Sequence, residues 1–311
     1  MRQQKATLPK LSLGRKIIQQ RELFFMSVPF VILVIIFNYV PIWGWIMAFQ
    51  EYRPGIPFWQ QKWVGLKQFE ELFSDSRFYN SLYNTLGMSI LGLLVGFTVP
   101  IVFALLINEL RNVYFKKVVQ TVSYLPHFVS WVVVGSIVYK MLSTDGGPIN
   151  QILVALGKEP IQFMAKPELF WYIVTLSDLW KELGWNTIIY LAAITAIDPV
   201  LYEAAKIDGA SRWRQMWHIT LAGISNTVIV LIVLSIGSLI SIGFEKQMVL
   251  SNPVVYDSAQ VLDLYALRYG LGSGGRYSYG TAVGVAKSVV SIILLFSANA
   301  VFKKRTGQSV M

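Results

Sequence analysis

Long apolar runs alternate with short polar segments along the whole chain. Six of these runs reach the length of about 20 residues that a helix needs to cross the hydrocarbon of a bilayer. They are Leu23–Phe49, Leu82–Asn108, Val118–Met141, Phe170–Ile197, Ala222–Phe244 and Tyr279–Phe302. The pattern predicts an all-α integral membrane fold of six transmembrane helices, with both termini on one side. Asn38, Pro41 and Gly44 inside the first run predict a kink there. Between the fourth and fifth runs the pattern changes. Residues 201–221, LYEAAKIDGASRWRQMWHITL, are charged and amphipathic at helical spacing, unlike a plain connecting loop. Asp198-Pro199 supplies a cap and a first-turn proline. A helix over Leu201–Ile207 then meets Gly209, which permits a bend or a close backbone contact, and a second amphipathic piece over Trp213–Ile219 returns to the membrane.

Composition agrees with a membrane protein. Of 311 residues, 54% are hydrophobic and 14% charged, and the mean hydropathy is +0.52. That is too little charge to cover a soluble domain of this size. Basic residues gather on one set of connections: Arg2, Lys5, Lys10, Arg15, Lys16 and Arg21, then Arg111, Lys116 and Lys117, then Lys206, Arg212 and Arg214, then Lys303, Lys304 and Arg305. On the opposite set, Arg53, Lys62, Lys67 and Arg77 are matched by Glu51, Glu70, Glu71 and Asp75. Positive-inside logic therefore makes both termini, and residues 201–221, cytoplasmic. The organisation is a basic cytoplasmic tail over 1–22, a six-helix membrane domain over 23–302 containing the segment 199–221, and a short cytoplasmic tail over 303–311. The net charge of +10 does not point to nucleic acid, because the positive charges are spread over membrane-flanking loops. The apolar run from Val28 is too long for a cleaved signal peptide and no small-residue cleavage site follows it. The absence of Cys removes disulfides, thiolate metal sites and cysteine nucleophiles together.

Catalytic constellations are hard to assemble. His127 and His218 are the only histidines, and neither has a sequence pattern suggesting a triad. His127 follows Pro126 near a span start and reads as structural. GLGSGG lacks the Lys of a phosphate-cradling loop, so no cofactor is expected in this chain; if the protein uses ATP energy, a partner must bind the ATP and Mg. The fourth run stands out. Asp178, Lys181, Glu182, Trp185 and Asn186 recur at spacings of three and four, on one helical stripe. At about 1.5 Å per residue, Lys181 falls roughly 16 Å down a helix begun at Phe170. Charges at that depth are costly unless they line water or pair with one another. Two readings stand: a helix projecting past the bilayer, where Lys181 pairs with Asp178, or a hydrated cavity with Trp180 and Trp185 as stacking faces. Ser241, Phe244, Glu245 and Lys246 at the end of the fifth run, and Lys287 in the sixth, lie in the same outer half and support a cavity. Mixed-sign charge with indole rings suits a neutral polyol such as a sugar. The aromatic loop 51–80 fits a membrane interface or the docking of an external partner, and the loops 143–167 and 246–278 are also long enough to dock one.

The spacing within 201–221 is specific. Glu203-Ala204-Ala205, three residues, Gly209, nine residues, Ile219, one residue, Leu221 resembles the EAA loop of permease subunits of ATP-binding cassette importers. Ala222 stands where that family usually has Pro. The likeness extends to YVPIWGWIMAFQEYRPG, WVGLKQFEELF, QTVSYLPHFVSWVVVG, GGPINQIL, DLWKELGWNTIIYLAAITAIDPVLYEAAKIDGA and GFEKQMVL, which look like the oligosaccharide and polysaccharide branch of Gram-positive bacteria. The resemblance implies a type I importer in a bacterial plasma membrane. In such an importer two related permeases stand side by side, with two ATPase subunits beneath and a lipid-anchored sugar-binding protein outside. It implies that Glu203, Ala204, Ala205, Asp208, Gly209, Ile219 and Leu221 form the coupling element. Trp180, Lys181, Glu182, Trp185, Asn186, Ser241, Phe244 and Glu245 are the candidates for the sugar path. A type I importer of amino acids or phosphate would share the loop; an ion-coupled transporter would not need it.

Overall fold

A computed structural model describes residues 20–272 and 275–306. The basic residues of the first tail up to Lys16, and the end of the second tail, lie outside these. The fold is helical; among the described residues the only β structure is an antiparallel pair, β1 (Gln50–Glu51) and β2 (Lys62–Trp63). Three helices are long and apolar enough to span alone: α1 (Arg21–Phe49), α3 (Ser76–Glu109) and the last helix, Tyr277–Lys304 within α14 (Tyr277–Thr306). Three bent pairs complete the six. These are α4 with its terminal turn (Val113–Phe128) and α5 (Trp131–Leu142), bent by 105°; α7 (Pro167–Thr195) and α8 (Pro199–Ile207), bent by 70°; and α9 (Arg212–Gly223) and α10 (Ser225–Gly237), bent by 53°.

The predicted third span is therefore not one straight helix. Pro126 tightens the chain into a 3-10 turn over Leu125–Phe128, and Ser130 then restarts a helix by accepting the Val133 N–H. The irregularity expected in α1 takes the form of changed winding, with a π turn over Ile35–Tyr39 and a 3-10 stretch over Val40–Phe49. Of α1, only Ala48 is buried, so nearly its whole length presents Leu, Ile, Val and Phe outward. In water such a surface would be a liability; against lipid or another membrane helix it is at home.

The core forms in three groups. α3 and α7 run along one another as the central pair. Met88 of α3 and Phe170 and Val174 of α7 bury Leu250, Val255 and Leu264. Leu72, Phe78, Ile240, Tyr265, Tyr279 and Val283 form a second group beside it. Ala104, Leu105, Tyr190, Ile194, Met216 and Ile224 form a third at the opposite end of the bundle.

The long connections are folded. α2 (Lys67–Ser74) follows the β pair, and α6 (Pro148–Ala155) follows the Gly146-Gly147 turn as expected. Residues 246–278, expected as a long loop, are helical instead: they hold most of α11 (Glu245–Leu250), α12 (Tyr256–Ala259) and α13 (Leu262–Leu271), whose apolar positions supply much of the first two core groups. Buried amides fasten them: Asn84 donates to the carbonyls of Asp257 (2.6 Å) and Gln260 (3.0 Å), and Thr85 accepts the Leu262 N–H at 2.8 Å. At the start of α3, the Asp75 carboxylate caps the helix and receives the Arg77 guanidinium at 2.8 Å and the Tyr265 hydroxyl at 2.8 Å. The Arg77 hydrogen bonds hold its pKa down at about 2 against the opposing effect of burial.

Candidate transport path and coupling loop

Lys181 sits at the midpoint of α7, 14 residues from Pro167 (181 − 167) and 14 from Thr195 (195 − 181). At about 1.5 Å per residue that is roughly 21 Å from either end. It is 6% exposed and does not pair with Asp178. Its Nζ donates to the carbonyl of His127 at 2.6 Å and to Glu182 Oε1 at 3.0 Å. Glu182 Oε2 lies 2.7 Å from His127 Nδ1. The histidine thus has a carboxylate partner 55 positions away, which no local pattern could reveal. Trp185 stacks on the same imidazole, with ring centroids 4.2 Å apart and planes within 1°.

This meeting depends on Gly184. A Cβ there would fall on the Ser123 carbonyl, so the end of α4 can lie against α7 only because residue 184 has no side chain.

The stripe on α7 is consequently divided. Lys181, Glu182 and Trp185 face the turn at 125–128, while Asp178 and Asn186 face a cleft of about 250 Å³ between α3, α7, α10 and α11. Ser89, Ser235, Ser238 and Ser241 line this cleft, together with Gln247 and Lys246. Lys246 pairs with Asp178 at 3.0 Å, so the two charges cancel. Gln247 is fully buried, and its Oε1 has no hydrogen-bond partner. Of the path residues expected from sequence, Asn186 and Ser241 line the cleft. Phe244 lines a separate cavity with Asp263, Leu267 and Tyr277, and Trp180 and Glu245 are exposed outside both. Lys287 pairs with Asp263, which also accepts the Gly243 N–H at 2.9 Å.

At the other end of α7 the turn begins as expected: Asp198 accepts the Val200 N–H at 2.9 Å and Pro199 opens α8. The helix closes on Gly209, at φ +73°, with Ala210 N–H to Ala205 O at 2.8 Å and Gly209 N–H to Lys206 O at 3.1 Å. Two carbonyls are satisfied by a left-handed residue, which is the Schellman arrangement. Glu203, Ala204, Asp208 and Gly209 are exposed; Ala205, Ile219 and Leu221 are half-buried, and Leu221 packs against the third core group. Arg212 fastens the loop to the end of α3, pairing with the Glu109 carboxylate at 2.6 Å and its carbonyl at 2.7 Å. Ile207 is 87% exposed at the tip.

A bundle of apolar helices with a polar cleft at mid-depth and an amphipathic lever at one end is a membrane transport subunit. The chain belongs to the family described as binding-protein-dependent transport system inner membrane component, whose model matches residues 92–308. It is 48% identical to the polygalacturonan/rhamnogalacturonan transport system permease protein YteP of Bacillus subtilis (strain 168), over 93% of this chain and 90% of that one. It is 43% identical to protein LplB of the same organism, over 91% and 88%. A bacterial ABC transporter that imports the acidic polysaccharide alginate superposes with a TM-score of 0.85 at 39% identity, covering 95% of this chain and all of that one. The same alginate transporter in complex with a pentasaccharide-bound periplasmic protein gives 0.86 at 38% identity, over 96% and 100%. The chain is a permease of the type I importer fold, a transport subunit and not an enzyme.

Proposed function

We propose that this permease forms half of the path for an oligosaccharide, with its cleft as the wall that the sugar passes. The observation that carries the reading is the chemistry of that cleft. Ser235, Ser238, Ser241 and Asn186 offer donors and acceptors at mid-depth, while Asp178 and Lys246 neutralise one another. Such a wall matches hydroxyl groups better than a fixed ionic charge. The cleft's own chemistry puts neutral oligosaccharides first, and the relatives named for polygalacturonan and for the acidic polysaccharide alginate make acidic ones the comparison. The remaining parts follow the same reading: a second permease completes the path, two ATPase subunits hold ATP and Mg and seat the coupling loop, and an external sugar-binding lipoprotein delivers the substrate. Residues 1–22 and 303–311 are the cytoplasmic tails and 23–302 the membrane domain.

The test is uptake of labelled oligosaccharides by the complex reconstituted in liposomes with its binding protein. Asn186→Leu removes one hydrogen bond to the sugar, and a net bond of about 1 kcal/mol corresponds to a fall in uptake of roughly fivefold. Uptake of amino acids but of no oligosaccharide would overturn the proposal.

A further inference from the structure

Three contacts form a closed circuit at the joint of the bent third span: His127 Nδ1 to Glu182, Glu182 to Lys181, and Lys181 back to the His127 carbonyl. Both the ring and the backbone of His127 are therefore fixed from α7. Facing a carboxylate, His127 Nδ1 carries the hydrogen and donates it to Glu182 Oε2 at 2.7 Å. Lys181 and Lys246 both lie 6.0 Å from the Trp131 ring. Phe128 meets the edges of both His127 and Trp185, at 5.3 and 6.0 Å. Trp185 is nevertheless 44% exposed, so the indole is covered on one face by the imidazole and open elsewhere.

We propose that His127 is a positioning residue of the permeation path: it backs the Trp185 indole from behind and presents the opposite face as a flat platform for a sugar ring. A tryptophan alone on a helix would rotate about two side-chain torsions. With an anchored ring stacked behind it, that freedom is removed before the sugar arrives, and an apolar sugar face can rest on the indole without ordering cost. The platform would belong to two spans, because α7 supplies the indole and the joint of the third span supplies its backing. This inference rests on the oligosaccharide reading above.

The test uses the reconstituted complex and compares two quantities, the sugar uptake rate at saturating binding protein and the ATP hydrolysis that the binding protein stimulates. His127→Gln keeps a donor for Glu182 but has no ring, whereas His127→Phe keeps a ring but loses the donor. Uptake should fall about fivefold to tenfold in His127→Gln, the size of one aromatic stacking contact, and be restored to within about twofold in His127→Phe. Stimulated hydrolysis should stay near the parent level in both. Trp185→Ala provides the reference, with uptake at least as low as in His127→Gln. If Trp185→Ala is impaired while His127→Gln transports normally, the positioning role is overturned and the oligosaccharide path stands. If Trp185→Ala and His127→Gln both transport normally while Asn186→Leu is impaired, the platform is overturned but not the path. If uptake and hydrolysis fall together in both His127 variants, the histidine is only a structural joint, and the proposal fails.

Discussion

Gly184 occupies the point where the backbone of Ser123 and Tyr124 comes closest to α7. Alanine is the better helix former by about 1 kcal/mol, so propensity alone predicts that Gly184→Ala stabilises the helix. Packing predicts the reverse, because the obstacle is a backbone carbonyl and not the end of a flexible side chain. The methyl group would push the end of α4 away and carry the 125–128 turn with it, opening the bonds from His127 to Lys181 and Glu182. A buried lysine left short of a partner is among the costlier losses available, about 3–5 kcal/mol when a buried pair is broken. Gly184→Ala is therefore expected to lower the thermal stability of the solubilised complex and to reduce uptake at least tenfold. A thermal unfolding scan at parent temperature, with unchanged uptake, would show that α4 does not depend on this contact.

At the scale of elements, the coupling loop was legible almost entirely from sequence, and the reason is local. A cap, a first-turn proline, an amphipathic stretch and a glycine at the end are each signals within a few residues, and α8 obeys all of them. The six apolar runs were legible for the same reason. What stayed hidden required contacts between distant segments. The His127–Glu182 bond spans 55 positions, and the bend of the third span appears only once Pro126 and Ser130 are seen to end one helix and start the next. The 246–278 segment was read as loop because its helices are short. Its Leu262, Leu264 and Tyr265 are buried by partners elsewhere in the chain, among them Phe78, Met88 and Tyr279. The loop's own prediction concerns Gly209. Among the described residues, nothing beyond its chain neighbours lies within 4 Å of a Cβ placed there, so Gly209→Val would meet no clash with them. It would strain the left-handed turn, at about 1–3 kcal/mol, and so loosen the Schellman closure that sets the exit from α8. Membrane insertion depends on the apolar runs and should be unchanged, while ATP hydrolysis stimulated by the binding protein should be lost. Normal stimulation in liposomes would mean that the bend at Gly209 does not transmit the signal.

Across the whole molecule, two packed ends enclose the cleft. One holds Phe170, Leu250, Tyr265 and Tyr279; the other holds Ala104, Tyr190 and Met216 beside the coupling loop. α3 joins them, running from Asp75 in the network with Arg77 and Tyr265, past Met88 and Ser89 at the cleft, to Glu109, where Arg212 ties it to the loop. A path that imports against a gradient must open to one side at a time, so movement of the loop end must reach the cleft, and α3 is the continuous element available to carry it. The natural chain contains no cysteine, so one introduced thiol is the only one it presents. Ser238→Cys places that thiol in the cleft, and Ala204→Cys places one on the exposed face of α8. In the reconstituted complex, a membrane-impermeant maleimide added outside should label Ser238→Cys several-fold faster when ATP is trapped on the partner ATPases than at rest. Ala204→Cys should react only from the opposite side and, on the proposed seating of α8 against the ATPase subunits, only when these are stripped away. Equal labelling of Ser238→Cys in the two nucleotide states would separate the cleft from the lever, and labelling of both thiols from one side would invert the orientation drawn from the basic loops.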